Sequence, residues 1–462
     1  MALIKSISGI RGTIGGKVGE ALTPLDVVRF TAAYGTWILQ QSSSLNNKKI
    51  IVGRDGRISG ELVQRLVVST LNALGLNVIS IGITTTPTAE MAVILEKAAG
   101  GIILTASHNP KEWNALKLLN SAGEFVSAED GAIILDIALN GDYNFATIEN
   151  LGSCSVKNNL LQRHIDAVVN HPLVDAAAIK KAKFKIVVDA INSSGALAVP
   201  ALLEALGLKD FTVLNEEING KFAHNPEPLP QHLTGLCNEV IKQNADIGIA
   251  VDPDVDRLCF ICEDGSFFGE EYTLVAVADY VLQHRKGNTV SNLSSTRALK
   301  DVTVKHGGEY FPSAVGEVNV VKKMKEVKAV IGGEGNGGVI VPDLHYGRDA
   351  LIGIALFLSF LAKEKKSVKQ IRNTYPNYFI SKNKMELDKN TNVKKLFDAI
   401  KTKYKNNPIN TEDGLRIEFD NDWVHLRTSN TEPIIRIYSE SNSETIADNI
   451  AKRIMQDIKE LM

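Results

Sequence analysis

Short, unbroken apolar runs recur along the chain, each ending abruptly in Gly, Asp, Ser or Asn before an amphipathic segment begins. The pattern occurs at Ile50-Ile51-Val52 into Gly53-Arg54-Asp55-Gly56-Arg57, at Gly101-Ile102-Ile103-Leu104 into Thr105 to Pro110, and at Ile186-Val187-Val188 into Asp189. It returns at Ile247-Gly248-Ile249-Ala250-Val251 into Asp252 to Arg257, and at Val330-Ile331 into Gly332 to Gly338. Unbroken apolar runs bounded by turn residues predict strands buried on both faces, and their alternation with helical patterns predicts α/β architecture with partly parallel sheets. Loops at strand ends are then the expected place for chemistry. The polar stretch 140–158 reads as a linker, Asn225-Pro226-Glu227-Pro228-Leu229-Pro230 as a loop, and the Lys- and Asn-rich stretch 363–392 as the connection to a last domain. From about Tyr375 the Gly-rich loops thin out; a strand pair follows around 414–419 and 423–426, and a helix over 443–461 closes the chain.

At 462 residues the chain is too long for one core, which implies two to four domains. With 44% hydrophobic and 23% charged residues it is expected to fold as an ordinary globular protein. The formal charge of −2, without a long Lys/Arg run or interleaved aromatics, gives no reason to expect nucleic acid or an acidic membrane as partner, while leaving a small anionic substrate open. The first residues lack the pattern of a cleaved leader and no run of about 18 apolar residues occurs, so the expected compartment is the cytoplasm. Cys259 and Cys262 have CxxC spacing but lie within an apolar strand-like run, where residues three apart point to opposite faces; they read as structural thiols.

Four loops carry candidate chemistry. In Thr105-Ala106-Ser107-His108-Asn109-Pro110, a serine on a bend after a buried strand can be a nucleophile, with His108 or Lys117 as proton carrier or positive charge; the alternative is an Asn-Pro turn whose hydroxyl bonds its own backbone. In Asp252-Pro253-Asp254-Val255-Asp256-Arg257, alternate positions of an extended segment face one side, so three carboxylates converge and need a cation such as Mg²⁺. The spacing is not that of an EF-hand, and the alternative is a solvated acidic turn. Gly332 to Gly338 surrounds Glu334 and Asn336 with glycine, which admits close approach of a ligand whose hydroxyls those two side chains can bind, or else makes a flexible turn. Arg427-Thr428-Ser429-Asn430-Thr431-Glu432-Pro433, with Arg436 beyond, combines a guanidinium fork with hydroxyls and backbone N–H groups and suits a phosphate; the alternative is a hydroxyl-rich turn between strands.

Taken together and in this order, the loops resemble those of the α-D-phosphohexomutase family over nearly the whole chain. Ser107 matches its phosphoserine loop, Asp252, Asp254 and Asp256 its metal loop, Glu334 its sugar loop, and 427–431 its phosphate loop; Arg11, in Ile10-Arg11-Gly12, and Lys117 match further active-site positions. The resemblance implies four domains around a central cleft: three similar α/β domains with mixed sheets, expected at 1–150, 151–257 and 258–370, and a smaller α+β domain at 371–462. It implies that phosphorylated Ser107, which with the three aspartates holds one Mg²⁺, donates to a sugar monophosphate and gives a hexose 1,6-bisphosphate that turns over and returns its other phosphate. Arg11, Lys117 and Arg257 would supply counter-charge, with His108 or Lys117 relaying the hydroxyl proton. Glu317, in Val315-Gly316-Glu317, stands where many glucose and mannose mutases have His; an acid there can pair with the ammonium of glucosamine, an arrangement similar to that of phosphoglucosamine mutases. The alternatives are a phosphomannomutase/phosphoglucomutase of broad specificity, a sugar phosphatase, or a sugar-phosphate sensor without turnover; a monomer or homodimer is expected.

Overall fold

The computed structural model describes residues 2–6, 9–41, 48–388, 391–428 and 434–461. Four sheets follow one another along the chain. The first orders Leu3–Ser6, Gly9–Thr13, Trp113–Leu119, Gly100–Leu104, Lys49–Arg54, Asn77–Ile83 and Cys154–Val156; the second Leu258–Cys262, Ile247–Val251, Ile186–Asp189 and Phe211–Leu214; the third Tyr310–Ser313, Thr289–Asn292, Ile331–Glu334 and Gly338–Ile340. These three mix parallel and antiparallel pairs, whereas the five strands of the fourth, from Phe379–Glu386 to Trp423–Thr428 and Ile434–Ser441, are all antiparallel. The α/β reading with a smaller α+β domain last is therefore what the fold shows.

One unit repeats in the first three sheets. A strand paired in parallel with a neighbour runs into a loop and returns as an antiparallel partner: Gly100–Leu104 with Trp113–Leu119, Ile247–Val251 with Leu258–Cys262, and Ile331–Glu334 with Gly338–Ile340. Each return leaves its loop at the end of a buried strand, and these loops carry Ser107, the three aspartates and Asn336. Two sheets reach past the boundaries expected from sequence. The stretch 140–158 contains the edge strand Cys154–Val156 of the first sheet, and Leu258–Cys262, expected to open the third domain, completes the second sheet instead. Cys154–Val156 is a short polar segment whose partner, Val78–Ser80, lies far off in sequence, whereas Leu258–Cys262 pairs with the strand just before it, Ile247–Val251, across the aspartate turn. Likewise the stretch 363–392 is more than a connection, since it holds Phe379–Glu386 of the last sheet.

The cores differ in how they are shared. The second and third domains bury one continuous cluster, because helix Ala350–Glu364 is apolar on all sides and packs between them. The first and fourth have their own clusters; in the fourth, Ala447, Ile450, Ala451, Ile454 and Ile458 of helix Glu444–Leu461 lie on its sheet at helical spacing. Cys259 and Cys262 fall into different clusters on opposite faces of their sheet, as strand periodicity requires. No helix among the described residues is long and apolar enough to cross a membrane.

The Ser107 loop is fastened by a residue that the sequence did not single out. Arg57 is fully buried, pairs with Asp55 at 3.0 Å, and donates to the carbonyls of Pro110 at 2.8 Å, Trp113 at 2.9 Å, Asn109 at 2.7 Å and Ser107. Asp55 also accepts from Thr105 Oγ1 at 2.6 Å, and Thr105 Oγ1 accepts from Ser107 N at 3.0 Å. Burial pushes the Asp55 carboxyl upward, and Arg57 and Thr105 work against that rise. Replacing Arg57 by Met should cost about 3–5 kcal/mol of unfolding free energy, because Asp55 is left buried and unpaired, and should lower turnover. Urea unfolding and kcat measure the two effects; a wild-type midpoint with wild-type turnover would remove the clamp from the account.

Candidate active site

Ser107 adopts φ +50°, a conformation rare for a residue with a β-carbon, and is held there by the Arg57 clamp. Its Oγ donates to Asp252 Oδ2 at 2.8 Å and lies 3.3 Å from His108 Nδ1. The serine and the acidic triplet therefore meet across the junction of the first two domains.

The three aspartates converge, but not by the route expected. The segment is a turn and not an extended strand: Val255 N bonds Asp252 O at 3.1 Å, Val255 takes φ +62°, and Asp252 Oδ1 accepts the N–H groups of Asp256 at 3.1 Å and Arg257 at 3.2 Å. A β-branched residue in the left-handed region is strained; full burial of Val255 in the core holds it. Ligand atoms of Asp252, Asp254 and Asp256 lie within 4.8 Å of one another, and all three residues are fully buried. Thr86 Oγ1 and Lys117 Nζ both donate to Asp254 Oδ2 at 2.6 Å, while Arg348 Nη2 reaches Asp256 Oδ2 at 2.7 Å. Those contacts leave Asp254 Oδ1 and Asp256 Oδ1 buried without a hydrogen-bond partner. Burial, then Asp256 and Asp254, push the Asp252 carboxyl well upward. Unpaired oxygens beside crowded carboxylates are the donor set that a hard divalent cation satisfies, so the triad can hold a metal.

The surrounding cations come from several elements. Burial acts to lower Lys117, but Asp254 and Asp256 outweigh it and hold the ammonium charged. Arg257 contacts Glu227 at 3.3 Å and stands 4.0 Å from both Asp252 and Asp256. Arg11 donates to Asn109 Oδ1 at 2.8 Å. Burial, then Arg257 and Arg11, drive the His108 pKa well below its usual value, so its ring is neutral.

Arg348 is the second residue that the sequence reading missed. Besides Asp256 it binds Glu317 Oε2 through Nε at 2.9 Å and Glu334 Oε2 through Nη1 at 2.8 Å. It thereby brings both expected sugar-loop acids to the metal loop, and occupies the Glu317 carboxylate that was expected to be free for an ammonium. Its only sequence signal is a lone Arg in a loop. The sugar loop itself is tighter than expected: Gly332, Gly333 and Glu334 belong to a strand, and only Gly335-Asn336-Gly337 turns. A β-carbon on Gly335 would lie 2.0 Å from Glu271 Oε2, so a larger residue there would have to displace the Glu271 carboxylate. Asn336 Oδ1 accepts from Gly338 N at 3.1 Å, and its amide is partly exposed.

In the last sheet Arg427 and Arg436 are direct partners on adjacent antiparallel strands, which puts both side chains on one face. Arg427 Nε pairs with Asp413 Oδ2 at 2.8 Å, and the same oxygen accepts Val315 N at 2.9 Å, two residues before Glu317. Ser429, Asn430 and Thr431, the remaining expected phosphate ligands, lie outside the described residues.

Family models match four successive segments: phosphoglucomutase/phosphomannomutase alpha/beta/alpha domain I over 3–145, domain II over 162–265, domain III over 269–378, and the C-terminal domain over 382–457. A phosphoglucomutase/phosphomannomutase of Thermococcus kodakarensis is 37% identical, over 94% of each chain. A phosphoglucosamine/phosphogalactosamine mutase of Sulfurisphaera tokodaii is 30% identical over 99% of this chain and 100% of its own. The crystal structure of a phosphoglucomutase/phosphomannomutase family protein from Burkholderia thailandensis superimposes with a TM-score of 0.84 at 25% identity, covering 99% of this chain and 98% of that one. With four domains matched in order and a serine set against a triad of buried carboxylates, this chain belongs to the phosphoglucomutase/phosphomannomutase family, the α-D-phosphohexomutases, and is an intramolecular phosphotransferase.

Proposed function

We propose that the enzyme interconverts a hexose 6-phosphate and 1-phosphate in the cytoplasm through phosphorylated Ser107 and a hexose 1,6-bisphosphate, with glucosamine phosphate as preferred substrate. The observation that carries the chemistry is the 2.8 Å contact of Ser107 Oγ with the acidic triad. The ion that fits is one Mg²⁺, held by Asp252, Asp254, Asp256 and a phosphate oxygen on Ser107, where it would neutralise charge on the transferring phosphoryl group.

The chain's own residues do the rest. Arg57 fixes Ser107 in its strained bend, so the phosphoryl group starts from one direction. Lys117, held protonated, serves as fixed positive charge; neutral His108, beside Ser107, takes the proton of the attacking sugar hydroxyl as the phosphoryl group leaves Ser107. After the bisphosphate turns over, its other phosphate returns to Ser107 and the hydroxyl proton is given back. Arg427 and Arg436 grip the phosphate that is not reacting, and Glu334 and Asn336 bind sugar hydroxyls.

The lean toward glucosamine rests on charge. Arg348 is shared among Asp256, Glu317 and Glu334, so its one positive charge does not by itself offset the two acids of the sugar side, and an ammonium placed beside them would be favoured over a hydroxyl. The Sulfurisphaera tokodaii relative is named for amino-sugar phosphates and the Thermococcus kodakarensis relative for glucose and mannose phosphates, which makes the sugar the point to test.

Comparing kcat/KM for glucosamine, glucose and mannose phosphates, each with Mg²⁺ and the matching bisphosphate, should rank glucosamine first; equal values would leave a broad-specificity mutase. Ser107→Ala should abolish turnover with the fold retained, and wild-type enzyme should release little inorganic phosphate. Phosphate release keeping pace with substrate loss would make it a phosphatase. His108→Gln should lower kcat by about 10²–10⁴ while substrate binding holds; an unchanged kcat would take the proton relay away from this residue. Glu317→His should lower the glucosamine-to-glucose ratio of kcat/KM, and an unaltered ratio would withdraw the charge argument.

A further inference from the structure

Where the first three domains meet, apart from the phosphoryl-transfer residues, a second group of ligand-type side chains is closed off from solvent. Helix Thr86–Leu95 supplies Thr88 and Glu90, helix Leu160–Val169 supplies His164, and the segment leading into helix Ala350–Glu364 supplies His345 and Asp349. His164, Glu90 and Asp349 are fully buried and His345 nearly so. Both imidazoles aim Nε2 at one carboxylate oxygen: Asp349 Oδ2 lies 2.9 Å from His164 Nε2 and 3.3 Å from His345 Nε2. Ligand atoms of the three residues lie within 4.8 Å of one another, and the two rings are nearly perpendicular, at 86°.

The far side of each ring is also arranged. His164 Nδ1 lies 2.9 Å from Thr88 Oγ1, and His345 Nδ1 lies 3.2 Å from Glu90 Oε2. Metal-bound histidines characteristically give their second N–H to an oxygen in this way, which fixes the tautomer and leaves Nε2 free to coordinate. Glu90 is an independent sign of missing positive charge. Its Oε1 is buried without a polar partner, and its Oε2 has only the 3.2 Å approach of His345 Nδ1.

We propose that His164 Nε2, His345 Nε2 and Asp349 Oδ2 bind a second divalent ion, Zn²⁺ by the donor set, which ties the first three domains together. Two imidazoles and one carboxylate suit zinc and not magnesium, in contrast to the all-oxygen triad at Ser107. Ligands about 2.0–2.1 Å from a tetrahedral ion stand about 3.3 Å from one another; the His345–Asp349 separation of 3.3 Å meets that value, and the 2.9 Å of His164–Asp349 opens by a few tenths of an ångström to reach it. The charge balances as well: one divalent ion with two neutral imidazoles offsets the buried carboxylates of Asp349 and Glu90, as an alternative to protons on His345 and on Glu90, whose carboxyl burial pushes up to about 8. The ion has a consequence for the cleft, because Asp349 directly follows Arg348. Fixing Asp349 fixes the turn that holds Arg348 against Asp256, Glu317 and Glu334.

The test uses the full-length enzyme, stripped with a chelator, reloaded with Zn²⁺ or Co²⁺, and washed in excess Mg²⁺ to clear the Ser107 triad. Elemental analysis should find a stoichiometric amount of zinc retained in wild type and in Asp252→Asn, and lost in His164→Gln and His345→Asn. The cobalt form of wild type, which needs no variant, should show the intense visible bands of a four-coordinate ion with nitrogen ligands. With the enzyme already saturated with Mg²⁺, the thermal midpoint should rise further on adding Zn²⁺, and should not do so in His164→Gln. Background zinc in wild type, bands of six-coordinate cobalt only, or zinc that survives both histidine substitutions but vanishes in Asp252→Asn would each overturn the proposal; the first would leave the cluster a pair of charged histidines on Asp349.

Discussion

Five carboxylates are buried around one point, those of Asp252, Asp254, Asp256, Glu317 and Glu334, and an unpaired charge in such a place is one of the costliest features a fold can contain. The molecule meets this cost with cations from separate domains. Lys117 reaches across from the first sheet to Asp254 and Asp256, Arg257 stands beside the aspartates in the second domain, and Arg348 extends from the third to Asp256, Glu317 and Glu334. Charge pairing thus imposes a mutual geometry on domains that hydrophobic burial alone would leave less defined. It also leaves two aspartate oxygens unpaired, so the stabilising network and the metal-binding capacity are the same arrangement.

Strain is placed where positioning matters. Ser107 and Val255 both sit in the left-handed region, one on each side of the contact between the serine and the acidic triad. Neither conformation persists unaided, and each is held by burial: the first through the buried guanidinium of Arg57 on four carbonyls of its own loop, the second through packing in the core shared by the second and third domains. Rigid placement of this kind is what phosphoryl transfer asks of a protein, since the chemistry depends on alignment and charge more than on covalent help.

The last domain is attached differently. It has its own core and an antiparallel sheet, and close to the sugar loop its link runs through Asp413, which binds Arg427 on one side and the backbone of Val315 on the other. Arg427 and the backbone N–H of Val315 share one Asp413 oxygen, so the seating of this domain on the turn before Glu317 depends on the charge state of that pair.

Much of this was legible in the chain itself. Apolar runs ending in Gly, Asp or Ser located the strands and the loops, because buried strands must be continuous and their ends must turn; the resemblance of four loops in order then pointed to Ser107, the aspartates and Glu334, which the fold brings together. What the sequence could not supply were partners distant along the chain. Arg57 and Arg348 look like any arginine in a loop until folding sets one against the carbonyls of 107–113 and the other among three acids. The short strand Cys154–Val156 takes its place by hydrogen bonding to Val78–Ser80, far away along the chain. The aspartates were expected to converge by strand alternation, yet a turn through Val255 brings them together. Local periodicity records which face of a segment is buried; which charge meets which is decided only when distant segments share a space from which water is excluded.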